Sequence, residues 1–582
     1  MDSVKYLQQL GCCPRCVLIY NGVREPEHHA TDAAVTAATL NLVKLPTDHN
    51  EATATQTDDT KTSLTSEGNV VQVMSDDSCL ARSAVTNACN ISDTARSLPD
   101  VAVDAMKGRS ASSDEQCVSC LGLLQQRCCA QDTIHKLSEA TLAAGYDADC
   151  FSLSVTLPVC ITVRTHLIAA LHGRHCGAGT AKEHRGSLSA SLKDAWKAAV
   201  SSRFEAVLGK TFSTGEAVLS VPLSATYTHD AQECRTAMSA IGYTGPPVKR
   251  QRKRKYKHYK YNSGAIESRN ASHSSIASNN TTAEAGGDEI EAEESEFSRQ
   301  TVDSVLSAMA DCELLQRLRV PAAPLNALSL TSSTPIRSPV FVAGRYCKFS
   351  RELSQTPWMI DGKLKCSSSV EQLIAGQIMT ALLAQEMKFL SSGREDVDVR
   401  CLGRGRPFAL EVQDPHRAAL DPQEMQQLQR SINAATTHIS VSHLQLVDKE
   451  STGVLRFNTE DKIKNYCALC MVRDDGELSQ QQLQVFNDKT PLVIQQQTPL
   501  RVLHRRPLLT RLRTVHAMNA TYITDNFFKV EFRTEAGTYI KELVHGDLGR
   551  TKPNLSMLLD RPVDIIALDV MDVELDWPQD VQ

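Results

Sequence analysis

The sequence predicts a multidomain α+β protein, with a smaller N-terminal α/β region and one large mixed domain at the C-terminal side. Three observations predict it. At 582 residues the chain is too long for a single hydrophobic core. Stretches with helical spacing of apolar residues are interleaved with stretches that alternate like strands. Composition also changes abruptly twice, cutting the chain into ordered blocks separated by polar tracts.

Residues 1–46 read as structured. Residues 47–115 are rich in Ser, Thr, Asp and Ala and poor in aromatics, and read as a disordered low-complexity insertion. Pattern returns in 116–149, where "CLGLLQ" leads into a helix and "HKLSEATLAAGY" fits a second. In 150–247, "CFSLSVTLPVCITVRTHLIAALHGR" reads as strand, turn and helix. Leu192, Trp196, Ala199, Val200 and Phe204 mark another helix, and "EAVLSVPLSATYT" alternates like a strand. Residues 248–300 carry opposite charge blocks and read as a flexible linker. Residues 301–336 are a boundary segment that can return to the preceding domain. Residues 337–580 form the large domain, in which "VEQLIAGQIMTALLAQEMKFL" is helical and "TYITDNFFKVEFRTEAGTYI" reads as two strands and a turn.

Apolar residues make up 41% and charged residues 22%, and the net charge is −6, so any basic surface must be local. The lack of a run of 18 apolar residues argues against a membrane-spanning helix. The first residues lack a secretory pattern, so the expected location is the nucleus, the cytoplasm or both. Nineteen cysteines are then buried thiols or metal ligands rather than disulfides.

Two CxxC pairs, Cys13 with Cys16 and Cys117 with Cys120, can aim four thiolates at one zinc ion. Their separation exceeds that of ordinary zinc ribbons. Buried free thiols, or a redox role for CPRC, remain the competing readings. A third pair, Cys467 and Cys470, sits in strand-like sequence where positions three apart face opposite sides, so it reads as packing.

Eight Lys/Arg residues lie between Lys249 and Lys260, interleaved with Tyr256 and Tyr259. They suit nuclear localisation, RNA contact or a plain solvated linker. A second basic segment carries Arg501, His504, Arg505, Arg506, Arg511 and Arg513, and could grip phosphates or be a solvated edge. Against that background, "SSGREDVDVRCLGRGRPF" places Asp396 and Asp398 in a strand-like run among arginines. Such acids suggest metal-dependent phosphodiester cleavage, covalent chemistry, or, for Asp398, a salt bridge to an arginine on the strand. No further acidic cluster supports a metal cage.

The stretches "GREDVDVRCLGRGRPFALEV", "KNYCALC", "TPLRVLHRRPLLTRLRTVH" and "GTYIKELVHGDLGRTKPN" resemble the archaeal and eukaryotic tRNA pseudouridine synthase family called Pus ten. "GRYCKFSRELSQTPWMIDG" is similar to that family's entry into its catalytic domain. The resemblance implies a pseudouridine-synthase fold, a mainly antiparallel mixed sheet with flanking helices. It also implies a zinc-containing N-terminal module (1–46 and 116–149) and a THUMP-like RNA-binding domain (150–247). It departs from the family in the long insertion and in the linker. Carried over by position, it implies Asp396 as catalytic acid and Tyr466 as active-site aromatic. Lys541 follows as the basic partner of Asp396, closing a Gly-Thr-Tyr-Ile-Lys strand, with Leu543 packing beside it. Arg394, Arg505, Arg506 and Arg511 join Tyr466 and Leu543 as substrate-binding candidates. The implied reaction is isomerisation of a flipped uridine in the tRNA TΨC arm, at tRNA position 54 and in some members 55. It needs no catalytic cofactor; the only implied metal is structural zinc. A monomer is expected, and a non-catalytic RNA-binding adaptor is the rival.

Overall fold

The computed structural model describes residues 3–44, 115–176, 188–215, 217–245, 296–361, 363–455 and 463–579. The 47–114 part of the insertion, the basic run Lys249–Lys260 and most of the charged linker lie outside them.

The N-terminal unit is built on strands β1 (Cys150–Thr156), β2 (Thr211–Phe212), β3 (Leu219–Thr226), β4 (Ser329–Ser332) and β5 (Ile336–Arg337). β1 pairs parallel with β2 and β3, while β4 and β5 pair antiparallel with β3, so the chain after the charged tract rejoins this sheet. In β3 the alternation is physical: Leu219, Val221, Leu223 and Ala225 are buried. They share a core with Trp196 and Phe204 of helix Leu188–Leu208 and with Ile161 and Ile168 of helix Cys160–Cys176. The same core takes in Cys13, Cys16, Cys117 and Cys120. "CLGLLQ" is a chain of turns, with Leu121 at φ +54°, and it leads into the short helix Gln126–Cys129.

The C-terminal unit holds a ten-stranded, largely antiparallel sheet. Its strands are β6 (Val340–Lys348), β9 (Glu386–Ser391), β10 (Arg400–Gln413), β11 (Ile439–Val447), β12 (Ile463–Val472), β13 (Leu492–Gln497), β14 (Thr510–Thr524), β15 (Phe527–Glu535), β16 (Thr551–Lys552) and β17 (Val563–Val573), with a small hairpin β7 (Met359–Ile360) and β8 (Lys363–Leu364) apart from it. The order is β11-β6-β10-β17-β12-β15-β14-β13-β16, with β9 added on β10. β10 changes partner along its length. At Cys401 it pairs with both β17, in parallel, and β6; after an irregular stretch it pairs again with β6 from Arg406 and gains β9 from Phe408. Gly403 sits in the irregular stretch between, at φ +63°, where a Cβ would fall 1.9 Å from the Met571 carbonyl oxygen. Helices Val370–Ala381 and Pro422–Ala435 cover β6 and β10, and helices Gln480–Asp488 and Ile540–His545 share the core of β12, β14 and β15.

The two units meet at a polar joint. The Tyr146 hydroxyl donates to Asp414 at 2.8 Å and its ring lies 4.4 Å from that of His416. Arg337 pairs with Asp147, whose carboxylate also accepts from the Ala418 and Ala419 amides at 2.9 and 3.0 Å.

A candidate active site around Asp396

Asp396 and Asp398 are not on a strand. They occupy the loop between β9 and β10, which Gly393 opens at φ +92°. A Cβ there would lie 2.6 Å from Lys464 Nζ and 2.9 Å from Arg406 Nη1, so two cations close over a position open only to glycine.

The loop is fastened from below. Lys348 is fully buried, and its ammonium donates to the carbonyls of Leu353, Asp396 and Val397 at 2.8, 3.0 and 2.8 Å. Burial holds its pKa below the ordinary lysine value, with the neighbouring carboxylate of Glu395 acting the other way. Glu395 is buried against Arg406, with 2.8 Å between Nε and Oε2, and accepts from the Tyr346 hydroxyl at 2.9 Å. Gln355 donates to Gly393 O at 3.0 Å and Arg351 to Asp398 O at 2.8 Å.

Above the loop, the Asp396 side chain is 33% exposed. Its Oδ2 accepts from Arg501 Nη1 at 2.7 Å and lies 3.6 Å from Lys541 Nζ. Lys541 sits in helix Ile540–His545, because β15 ends at Glu535 and Gly537 turns the chain; it does not close a strand. Its shorter contacts, 2.9 and 2.7 Å, go to Asp398. The expected arginine partner of Asp398 is therefore replaced by Lys541, and the closest cation to Asp396 is Arg501. Burial pushes the Asp398 pKa up, but the Lys541 hydrogen bond and charge outweigh it and hold the carboxyl below its ordinary value.

Leu543, in the same helix, is fully buried, and Tyr466 of β12 packs against the core that holds it. Burial pushes the Tyr466 hydroxyl up to about 12, against the nearby charge of Arg406. Arg394 is exposed, near the half-buried Glu371. Arg505 and Arg506 are exposed in the segment between β13 and β14, and Arg511 is half-buried at the start of β14. Two other arginines of the motif are paired with carboxylates of this chain: Arg400 with Asp569 at 2.5 Å and the exposed Arg404 with Asp572 and Asp576 at 3.0 and 2.8 Å. Sequence reasoning missed Lys348, Glu395 with Arg406, and Glu542, and it read Arg501 only as one arginine of a basic segment, not as the partner of Asp396. No local pattern marks them, since each matters through a partner distant in the chain.

In the N-terminal unit the four cysteine sulfurs all lie within 4.8 Å of one another and are buried. Cys13 to Cys120 and Cys16 to Cys117 are each 3.8 Å apart. A tetrahedral ion with metal–sulfur bonds of about 2.3 Å would space its sulfurs by about 3.8 Å. The Cys13 amide also donates to Cys117 Sγ at 3.3 Å. Burial pushes the Cys16 and Cys120 thiols well up, a cost that a bound cation would remove. The set can hold a metal ion. Cys467 and Cys470 are on β12, with Cys470 fully buried and Cys467 half-buried.

Comparison with known proteins matches residues 341–574 to the family described as "Pus10, C-terminal" and residues 117–273 to "Eukaryotic Pus10, N-terminal". The tRNA pseudouridine synthase Pus10 of Mus musculus is 34% identical over 490 residues, covering 84% of each chain. That of Homo sapiens is 34% identical over 463 residues, 79% of each. A solved Cbf5-Nop10-Gar1 complex overlaps 40% of this chain and 48% of that one, at 19% identity and a TM-score of 0.22, too low to carry an argument.

Proposed function

The chain belongs to the Pus10 family of tRNA pseudouridine synthases, and on that premise we propose that it isomerises uridine in the TΨC arm, at tRNA position 54 and in some substrates 55, with Asp396 as the reacting carboxylate. The reaction breaks a carbon–nitrogen glycosidic bond and forms a carbon–carbon one from the same atoms, so it needs no oxidant, reductant or cofactor. The target base must leave its stack to be reached. The observation that carries this reading is the Asp396 carboxylate itself: one-third exposed, bracketed by Arg501 and Lys541, on a loop pinned from beneath. A carboxylate so placed is tolerated beside RNA because cations neutralise it.

Tyr466 would line the pocket of the extruded base, with Leu543 behind it. Arg394, Arg505, Arg506 and Arg511 would grip phosphates on either side. The N-terminal unit would act as a THUMP-like RNA-docking module. Zinc held by Cys13, Cys16, Cys117 and Cys120 would cross-link its two cysteine turns. The test is incubation with unmodified tRNA transcript, then carbodiimide mapping of pseudouridine, with and without EDTA. Pseudouridine at position 54 or 55 that persists in EDTA is expected. Tight tRNA binding with no pseudouridine would sink the enzymatic reading in favour of an RNA-binding adaptor.

A further inference from the structure

We propose that Glu542 is a positioning residue that aims the Asp396 carboxylate by fixing Arg501. This rests on the reading of Asp396 as the reacting group. Glu542 is 2% exposed, and a carboxylate so deeply buried is costly unless paired. Its Oε1 accepts from Arg501 Nε at 2.7 Å, while Nη1 of the same guanidinium donates to Asp396 Oδ2, also at 2.7 Å. A guanidinium is planar and rigid. Once Nε is tied to Glu542, the direction of Nη1 is set, and with it the Asp396 oxygen that Nη1 holds.

Lys541 cannot do this. It lies 3.6 Å from Asp396, closer to Asp398, and an ammonium on a flexible stem does not define a direction. The arrangement ties one oxygen of Asp396, Oδ2, and among the described residues leaves Oδ1 with no protein donor, available to react. It also separates Arg501 from Arg505 and Arg506. Those two are exposed in the segment between β13 and β14, whereas Arg501, though itself 37% exposed, bridges two carboxylates.

The test uses the full chain and unmodified tRNA transcript, measuring single-turnover pseudouridine formation, tRNA affinity by filter binding, and unfolding temperature. Glu542→Gln should slow the rate by about tenfold to a hundredfold, the usual effect of a misaimed group, with tRNA affinity unchanged. Arg501→Ala should be slower, and Glu542→Gln should add nothing to it, because residues acting as one unit are non-additive. Guanidinium ion should partly restore Arg501→Ala but not the double variant. If Glu542→Gln does not fold, Arg501→Lys decides: it keeps the charge, loses the Nε contact and should lose rate as Glu542→Gln is expected to. Additive losses, a wild-type rate in Arg501→Lys, or lost tRNA affinity at an unchanged rate would each overturn the proposal. Absence of pseudouridine with the unaltered protein would instead overturn the proposed function.

Discussion

Replacing Lys348 by methionine should both destabilise the C-terminal unit and slow the reaction at Asp396. Methionine fills similar space but removes donors to three carbonyls, at 2.8, 3.0 and 2.8 Å. Hydrogen bonds from a charged group contribute about 1.5–3 kcal/mol each, or roughly 5–9 for three. Against this, methionine avoids the several kcal/mol needed to bury an ammonium. The balance is a loss of about 2–4 kcal/mol, which for a unit of this size lowers its unfolding temperature by about 5–12 °C. Two of the orphaned carbonyls belong to Asp396 and Val397, so the loop should shift, and a shift of about 1 Å costs about a hundredfold in rate. pH adds a signature. Because the folded pKa of Lys348 lies below its ordinary 10.5, the buried charge is a cost at neutral pH that is relieved as pH rises through the folded value. The deficit of Lys348→Met should therefore grow between that lowered value and 10.5. Calorimetry across pH and single-turnover assays test both parts. A variant with the original unfolding temperature and rate would refute the view that Lys348 fastens the loop.

Asp396→Asn should fold and bind tRNA but lose essentially all activity, whereas Asp398→Asn should keep activity within about tenfold, since its exposed contact with Lys541 is a modest one; tritium release from labelled uridine distinguishes them. Changing Arg505, Arg506 and Arg511 together to alanine should weaken tRNA binding and reduce its salt slope by about 2–3, with the saturated rate retained, as filter binding across a salt series will show. The native protein should carry about one zinc per chain, and Cys117→Ser should lose it by elemental analysis while Cys470→Ser should not. Burial raises the Glu371 carboxyl to about 7; its stabilising share is full below its ordinary 4.5 and lost as pH rises through about 7, so Glu371→Gln should flatten the fall of unfolding temperature across that window.

What the chain discloses about its site depends on how far each interaction reaches. The alternation of Asp396, Val397, Asp398 and Val399 reads as a strand because period-two patterning is the strand signal. Gly393, which admits the turn, looks in sequence like any glycine, and the cations that forbid a side chain there, Arg406 and Lys464, come from other strands. Lys541 reads as a strand end for a related reason: the apolar pattern of β15 runs visibly on into "GTYI", while the turn at Gly537 interrupts it. That Asp396 and Lys541 come near each other was readable only through whole-motif resemblance, since 145 positions separate them (541 − 396). Arg501 was legible as one arginine of a basic segment. Its pairing with two carboxylates was not, because they lie 105 and 41 positions away. The elements themselves were easier: helices Cys160–Cys176 and Leu188–Leu208 and strand β3 each carry their period in their own residues.

The joint between the units changes how the N-terminal unit bears on Asp396. A linker alone raises the effective concentration of a docking module without directing it. Here Arg337 pairs through its backbone with Leu219 of the N-terminal sheet and through its side chain with Asp147, and three residues later the chain enters β6. β6 spans about 30 Å at roughly 3.3 Å per residue, and its last residue is Lys348, which holds the carbonyl of Asp396. One strand therefore connects the N-terminal sheet to the loop that carries the carboxylate. On the proposed function, an RNA gripped by the N-terminal unit is presented to Asp396 across a set distance, and selection among uridines of a folded RNA can follow from geometry as well as from contacts to the base.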